Sequence, residues 1–289
     1  MDRRAFLLDG LRLQPPRIIE VGASISPIAP KREGWPTFVV DHADAATLRS
    51  KYATHDHARI EEVDGVWQGG PLHDVVPAET HGQYDAIIAS HVIEHLLDPI
   101  GLFVSADRLL NPSGHLVLAI PDKRLCFDAL RPVSSVGQFL EAHLRPRPKH
   151  RLGAVYDSTS LSCRRLDDEG KPWLKGEAVP FSIIASPAEA HHLCAGYDDV
   201  GGEYHDVHGW TFTPASFELL LLETWAMGLS PWRLKDTHEP GGVEFLVILE
   251  RSMQPVPPRE EVQRRREALH RKLLGELRDQ ADWLLGPKA

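Results

Sequence analysis

Cysteine is scarce in this chain. Its 289 residues include three cysteines, at positions 126, 163 and 194, and none belongs to a Cys-x-x-Cys pair. So few and so widely spaced cysteines exclude a disulfide framework and do not form a typical structural zinc motif. We therefore expect a protein of the reducing cytoplasm.

Long apolar runs are also missing. The run at 219–222 is far shorter than the roughly 20 apolar residues that a helix needs to cross a bilayer, and Asp9 interrupts the first apolar run too early for a signal peptide. We expect no membrane span.

Positive charge is the third deficit. Lysine and arginine number 32 against 41 acidic residues, which gives a formal net charge of -9. This balance disfavours nucleic acid as the main partner and favours a neutral or cationic small molecule. The hydrophobic share of 42% is that of an ordinary globular protein, and we expect one core with an insertion.

Short apolar runs bounded by Pro, Gly and Asp predict strands that are buried on both faces. These runs lie at 17–22, 37–41, 63–67, 84–89 and 115–120, with helices predicted at 43–52 and 99–110. Strands that alternate with helices indicate a parallel sheet with right-handed crossovers. A helix from Thr213 to Met227 then precedes two strands, 232–236 and 243–250, which we expect to pair antiparallel at the end of the sheet.

The pattern divides the chain into four parts. Residues 1–125 and 210–252 should form the ligand-binding core, and residues 126–209 should form an inserted cap with the acceptor region, because a structureless loop of that length is improbable. A C-terminal helix is expected at 259–285. Its apolar positions are spaced so that it could pair with a second copy of the chain or pack on its own domain; a homodimer would form through this helix or through the cap.

The loop after the first strand reads Glu20-Val-Gly-Ala-Ser-Ile-Ser-Pro27. A dinucleotide site needs further glycines where Ser24 and Pro27 stand, so the loop argues against a pyrophosphate ligand such as NAD. Gly22 still permits close approach of a ligand to the backbone. Asp41, at the end of the second strand, is placed to accept hydrogen bonds from ribose hydroxyls.

Two further motifs flank the fourth and fifth strands. Residues 90–99 read Ser-His-Val-Ile-Glu-His-Leu-Leu-Asp-Pro, and residues 110–114 read Leu-Asn-Pro-Ser-Gly. Together with the first loop and Asp41, these motifs make the chain resemble class I S-adenosylmethionine-dependent methyltransferases over about 17–120 and again over 210–250. The resemblance implies an α/β, Rossmann-like sheet of seven strands, the last antiparallel, and S-adenosylmethionine as the cofactor.

The resemblance also assigns cofactor contacts by position. It implies Glu20, Gly22 and Ala23 on the methionine side, Asp41 at the ribose, Gly70 to Leu72 at the adenine, and Ser90 with His91 at the sulfonium. The chain departs from the family where Ala23 or Ser24 replaces the usual second glycine. The acid that commonly follows the third strand in this family is not obvious among residues 69–71. Of all the cofactor contacts, adenine recognition is therefore the one that these departures affect most.

His91, Glu94 and His95 follow the spacing i, i+3, i+4 and would share one face of a helix that began at His91. Three interpretations stay open. The three side chains could bind Mg²⁺ or another divalent metal that lowers the pKa of an acceptor hydroxyl. His91 or His95 could be a general base. Alternatively, Glu94 could interact favourably with the positive N-terminal end of the helix while His95 packs beneath the cofactor.

A second polar cluster precedes the helix at Thr213. His205 or His208, oriented by Asp206, is the other candidate base, because histidine titrates near neutral pH. Loops at this edge of a sheet commonly form acceptor walls. The candidate acceptor residues are Asp122, Tyr204, Asp206 and Trp210. A zinc site at His191, His192 and Cys194, with Cys163 as a distant fourth ligand, is a weaker alternative.

The cap is rich in Arg, His, Tyr and Trp, which can stack on sugar rings and hydrogen-bond their hydroxyls, whereas a lipid acceptor would need a long apolar funnel. Residues 208–217 also resemble methyltransferases encoded with bacterial glycan assembly. We therefore expect O-methylation of a sugar or glycan hydroxyl in polysaccharide biosynthesis, with a methylmannose-type mannoside as a candidate acceptor.

Two other functions stay open. The acceptor could be a non-sugar small molecule such as a phenol, a quinone or a natural product. The chain could also be a degenerate binding protein with the methyltransferase fold. A reductase or epimerase is disfavoured, because no tyrosine has a lysine four residues later.

Overall fold

The computed structural model describes residues 2–8, 11, 16–167, 173–178, 180–198, 200–201 and 204–286. Nine strands are formed in these ranges: β1 Ile18–Val21, β2 Thr37–Asp41, β3 Gly65–Val66, β4 Tyr84–Ser90, β5 Leu110–Pro121, β6 Cys163–Arg165, β7 Phe181–Ile183, β8 Trp232–His238 and β9 Glu244–Arg251. Seven of them make one sheet in the order β3-β2-β1-β4-β5-β9-β8, and β6 pairs with β7 separately.

The direction of the strands confirms the predicted sheet. Strands β1 to β5 run parallel, while β9 lies antiparallel between β5 and β8. The chain proceeds outward from β1 through β2 to β3, and then returns to β4 on the other side of β1. Ligands of open α/β sheets bind at such a reversal, outside the carboxyl ends of the strands.

Eight α-helices complete the described part of the chain. They are α1 Arg3–Leu7, α2 Ala45–Lys51, α3 Pro99–Leu109, α4 Val136–Leu144, α5 Leu152–Ser160, α6 Pro187–Cys194, α7 Pro214–Ala226 and α8 Arg259–Leu285. The starts of α3 and α7 follow from their sequence: Asp98 and Thr213 cap them through side-chain oxygens, and each has proline at the first helical position.

The main core lies on the sheet face covered by α3 and α7. Phe103, Phe217 and Trp232 are fully buried there, and the indole of Trp232 donates a hydrogen bond to the backbone carbonyl of Phe103. On the other face, α1 packs Phe6 and Leu7 against β4, β5 and β9. These two layers fix the strand ends that carry the polar motifs.

The segment between β5 and α7 forms its own short elements, α4, α5, β6, β7 and α6. Buried polar groups hold much of it. Asp128 and Arg131 form an ion pair of 2.7 Å in which both side chains are buried, and His150 is 4% exposed. Gly209 packs against the imidazole of His150, where a Cβ atom would come within 2.3 Å of the ring.

Helix α8 packs on its own chain. Arg266 pairs with Glu223 of α7 at 2.9 Å, and Gln280 is buried with its amide donating to the carbonyl of Ala129. The homodimer predicted through this helix or the cap stays a prediction. Within the described ranges, every helix is too short or too polar to traverse a bilayer.

Candidate active site

The loop after β1 approaches the end of β4 closely. Gly22 has a φ of +70°, and a Cβ atom there would lie 2.6 Å from the side chain of Val92. Glycine is therefore required on both conformational and steric grounds. The next turn is also strained, since Ser24 has a φ of 40°.

Asp41, the last residue of β2, contacts the turn at Ser24. The backbone amide of Ser24 donates to Asp41 Oδ2 at 3.1 Å, and the backbone amide of His42 donates to Oδ1 at 2.8 Å. The hydroxyl of Ser24 is buried and has no partner, so a ligand hydroxyl would satisfy it. The cradle at Gly22 and this orphaned hydroxyl fit the nucleoside and methionine parts of S-adenosylmethionine.

The other predicted cofactor residues lie close by but differ in what they contact. Glu20 accepts hydrogen bonds from the backbone amides of Ile28 and Ala29, at 2.5 and 2.9 Å, and therefore fastens the loop. Burial raises the pKa of Glu20 despite these bonds. Ala23 and Leu72 are buried. Gly70 accepts a hydrogen bond from the indole of Trp67 at 3.0 Å.

At the end of β4, Ser90 and His91 meet the N-terminal helix and the start of β9. The Arg3 guanidinium donates to the Ser90 hydroxyl at 2.6 Å and to both carboxylate oxygens of Glu244, at 2.5 and 3.0 Å. His91 Nε2 lies 2.8 Å from Glu244 Oε2. Burial alone would raise the pKa of Glu244, but the bonds from His91 and Arg3 outweigh it and lower this pKa to about 2.

The helical face predicted for His91, Glu94 and His95 is wrong. His91 has a φ of 54°, and Ile93–His95 form one 3-10 turn instead of an α-helix. The left-handed residue turns the imidazole of His91 toward Glu244. His91 Nδ1 still lies 3.7 Å from Glu94 Oε1.

Glu94 is instead grouped with His95 and His208. The Nε2 atoms of both histidines lie 3.9 Å from Glu94 Oε1, and the two rings are 4.7 Å apart at an interplanar angle of 89°. Glu94 is 1% exposed, and neither of its carboxylate oxygens has a hydrogen-bond partner in the described part of the chain. We call Glu94, His95 and His208 the Glu-His-His cluster.

Each histidine of the Glu-His-His cluster has a carboxylate behind it. His208 Nδ1 lies 2.5 Å from Asp128, and His95 Nδ1 lies 2.9 Å from Asp206. Burial lowers the pKa of His95, but Asp206 and Glu94 outweigh it and shift the pKa upward. The close approach of His95 lowers the pKa of Asp206 to about 2.

Sequence reasoning missed Asp128 and assigned the orientation of His208 to Asp206. The pair spans 80 positions of the chain, and only a Cys-Phe-Asp run after β5 could have drawn attention to it.

The remaining predicted residues lie outside the Glu-His-His cluster. Asp122 is buried and pairs with Arg124 at 2.5 Å. Trp210 packs on Phe139 with ring centroids 4.5 Å apart, and His205 lies against the ring of Tyr197. Tyr204 is half exposed near His150, and burial raises its pKa to about 12. The weaker zinc alternative finds no support within the described ranges, where the Glu-His-His cluster alone has metal-ligating geometry.

A cavity of about 370 Å³ opens beside the Glu-His-His cluster. His95, His208 and Asp206 line it. Its other lining residues include Phe127, Ser158, Thr159, Ser162 and Ile184. This volume is within the usual range of small-molecule sites.

A comparison with protein families identifies the family of the chain. The family described as "Methyltransferase domain" matches residues 1–164, more than half of the chain. The chain therefore belongs to this family. It is an S-adenosylmethionine-dependent methyltransferase with a seven-stranded sheet whose last strand is antiparallel. No curated protein matches the chain.

Solved structures with similarity to the chain include several methyltransferases. The trans-methyltransferase CalH, in complex with S-adenosylhomocysteine, is 14% identical with a TM-score of 0.41 over 86% of this chain and 55% of CalH. The chain thus spans about half the length of that protein. The CcbJ methyltransferase from Streptomyces caelestis is also 14% identical, with a TM-score of 0.43 over 86% of this chain and 94% of CcbJ. A methyltransferase from Mesorhizobium loti is 14% identical, with a TM-score of 0.41 over 82% of this chain and 91% of its own.

Proposed function

We propose that this enzyme methylates a hydroxyl group of a sugar or glycan bound in the cavity beside the Glu-His-His cluster. The observation that carries the proposal is the lining of that cavity. The ring of Phe127, which is 42% exposed, offers a flat apolar surface for a sugar ring. Ser158, Thr159 and Ser162 offer hydroxyls to the sugar's own hydroxyls. A mannoside of the methylmannose type is the specific candidate.

His91 is the base in this proposal. When bound, S-adenosylmethionine supplies a methyl group that is already activated by a positive sulfur, so the protein must align the acceptor oxygen and remove its proton. His91 Nε2 donates to Glu244, which leaves Nδ1 as the proton acceptor. Glu244 fixes the tautomer and orientation of the ring, as carboxylates do for catalytic histidines. The left-handed backbone of His91 is the kind of strained conformation that functional sites retain.

Three further elements belong to the same proposal. A divalent metal at the Glu-His-His cluster would assist deprotonation. Methylation would take place during polysaccharide assembly. The reaction would occur in the cytoplasm, an expectation that the free thiols of Cys126, Cys163 and Cys194 support.

The test uses labelled S-adenosylmethionine with a panel of mannosides, phenols and quinones. We expect label in the mannosides. His91→Gln should lower kcat by about 10²–10⁴-fold, the usual contribution of a general base, and should leave the affinity for S-adenosylhomocysteine close to that of the wild type. The matched control is His270→Gln on the exposed surface of α8, which should keep full activity.

Two results would contradict the proposal in different ways. Methylation of the aromatic acceptors alone would refute the sugar acceptor and favour a phenol, quinone or natural product. Failure to bind S-adenosylhomocysteine at millimolar concentration by calorimetry would instead favour a degenerate binding protein.

A further inference from the structure

We propose that Glu94, His95 and His208 bind a single first-row transition-metal ion such as Zn²⁺, and that Mg²⁺ is not the metal. The inference deepens the proposed function, on which its catalytic role rests, but the site itself rests on geometry alone. One ligand atom from each residue lies within 4.8 Å of the other two. His91, which was expected to be a ligand, is not part of this group.

The buried carboxylate of Glu94 is the first observation. Both of its oxygens lack a hydrogen-bond partner, and the side chain is 1% exposed. An ionised carboxylate in such a position costs several kcal/mol unless a cation neutralises it. In the described ranges, no lysine or arginine pairs with Glu94.

The direction of the two imidazoles is the second observation. His95 and His208 face carboxylates through Nδ1, at Asp206 and Asp128. The hydrogen bond of His208 Nδ1 to Asp128 leaves its Nε2 with a lone pair toward Glu94. His95 Nδ1 lies 2.9 Å from Asp206 without hydrogen-bond geometry, and a proton on that nitrogen leaves the Nε2 lone pair of His95 toward Glu94 as well. Two lone pairs and a carboxylate then converge on one small volume, and this arrangement is stable when a cation occupies it. Carboxylates behind ligating histidines are the usual outer shell of such sites.

The separations are close to those of a closed site. Ligand atoms about 2.0–2.2 Å from a zinc-like ion stand about 3–3.5 Å apart in tetrahedral or octahedral geometry. The Nε2 atoms lie 3.9 Å from Glu94 Oε1, so a shift of a few tenths of an ångström brings each of them to that separation from Glu94, and all three ligand atoms lie within 4.8 Å of one another.

The donor set identifies the class of metal. Mg²⁺ prefers oxygen ligands and binds through carboxylates and water, whereas imidazole suits zinc, iron, nickel and copper. Two imidazoles among three protein ligands therefore favour a transition-metal ion. Three ligands also leave a position open for an exogenous oxygen, and the acceptor cavity adjoins His95 and His208. An acceptor hydroxyl bound there would have a lowered pKa. Its proton would pass to His91, which does not line the cavity but whose Nδ1 lies 3.7 Å from Glu94 Oε1.

Cobalt is the probe for this site, because bound Co²⁺ gives visible ligand-field bands. Full-length protein is treated with a chelator, dialysed and titrated with Co²⁺. We expect one equivalent to bind with these bands, Zn²⁺ to displace it, and excess Mg²⁺ to leave it bound. His208→Gln should weaken binding by at least about 100-fold, and Asp128→Asn by about 10–100-fold, as outer-shell losses do.

The controls separate this site from other sources of binding. His270→Gln should bind Co²⁺ like the wild type. Glu94→Gln is a second ligand variant in case His208→Gln fails to fold, as judged by circular dichroism. Absence of Co²⁺ bands in the wild type, binding by the ligand variants as tight as that of the wild type, or displacement by Mg²⁺ as easily as by Zn²⁺ would each overturn the proposal. Calorimetry with S-adenosylhomocysteine on the same chelated protein shows whether the cofactor site survives such a failure.

Discussion

The sheet core and the cap are stabilised by different interactions. In the core, the middle parts of β4, β5 and β9 (86–89, 116–120 and 245–249) consist of buried apolar residues, many of which pack in one cluster with residues of α3 and α7. The cap between β5 and α7 has few such residues, and its own apolar cluster includes Leu125, Ala129, Cys163 and Trp173. Buried charged and polar groups hold the rest of it, among them Arg131, Lys149, His150 and Arg165.

The difference separates stability from chemistry. Apolar burial contributes roughly 25 cal/mol per Å² and is insensitive to pH, whereas buried polar networks depend on charge state and geometry. The core can therefore hold the strand ends rigidly at any pH, while the stability of the cap changes with pH. The Glu-His-His cluster lies where the two regions meet.

The largest expected effect on stability comes from replacing a phenylalanine of the core, and a phenylalanine of the cap is its matched control. Phe103 is 0% exposed in the core, whereas Phe127 is 42% exposed in the cap. Phe103→Ala should lower the free energy of unfolding by about 3–5 kcal/mol, because it leaves a cavity. Phe127→Ala should cost no more than about 1 kcal/mol and should raise the KM for the acceptor. Urea unfolding and steady-state kinetics measure both, and equal losses of stability would contradict the comparison.

The pH dependence of the cap gives the next largest effect. Burial lowers the pKa of His150 to about 4 from 6.5, although a hydrogen bond to the carbonyl of His95 acts in the opposite direction. The folded state thus resists protonation, while the unfolded chain takes up a proton below pH 6.5. The stability that the neutral imidazole contributes is complete above that pH and is lost as the pH falls toward about 4. We expect about 1–3 kcal/mol over this window.

Urea midpoints measured at several pH values check this prediction. His150→Gln should abolish most of the additional acid sensitivity, and His192→Gln on α6, which is exposed, should leave it unchanged. A pH profile of His150→Gln that follows the wild type would show that other groups cause the sensitivity.

The smallest expected effect concerns two glycines with the same backbone conformation. Gly22 and Gly82 have φ values of +70° and +73°, but a Cβ at Gly22 would meet Val92 whereas one at Gly82 would meet nothing within 4 Å. Gly22→Ala should weaken the binding of S-adenosylhomocysteine by about tenfold or more, because the clash with Val92 displaces the loop and a loss of about 1.4 kcal/mol of binding energy corresponds to that factor.

Gly82→Ala serves as the control. It should cost a similar backbone strain in stability and leave the affinity unchanged, as measured by calorimetry. Adding Val92→Ala to Gly22→Ala should recover part of the lost affinity, because it removes the steric clash while the strain in φ remains. Equal affinities of the two single variants would contradict a role of Gly22 at the cofactor.

Much of the core could be predicted from the sequence. β2 has the predicted bounds, and α7 begins after Thr213 as its capping pattern indicates. These elements are dictated locally, by burial of apolar runs and by capping. β5 begins five residues earlier than predicted, at Leu110. Leu110 pairs with Tyr84 of β4, and a bulge separates this pair from the regular pairing that begins at His115. Apolar periodicity does not reveal such a bulge.

The candidate site was less accessible to sequence reasoning. The spacing of His91, Glu94 and His95 suggested a helical face that the left-handed backbone of His91 precludes. The pairing of His208 with Asp128 and Glu94 depends on how the cap folds back over the sheet. No local pattern specifies such a contact between distant parts of the chain.

The pairing of Arg3 with Glu244 determines when the site can be completed during synthesis. These residues are separated by 241 positions, and Glu244 begins the last strand of the sheet. A nascent chain released only as far as β8 would contain both cofactor loops and the Glu-His-His cluster. It would still lack the carboxylate that contacts His91, so this imidazole would acquire its orientation only when β9 inserts between β5 and β8.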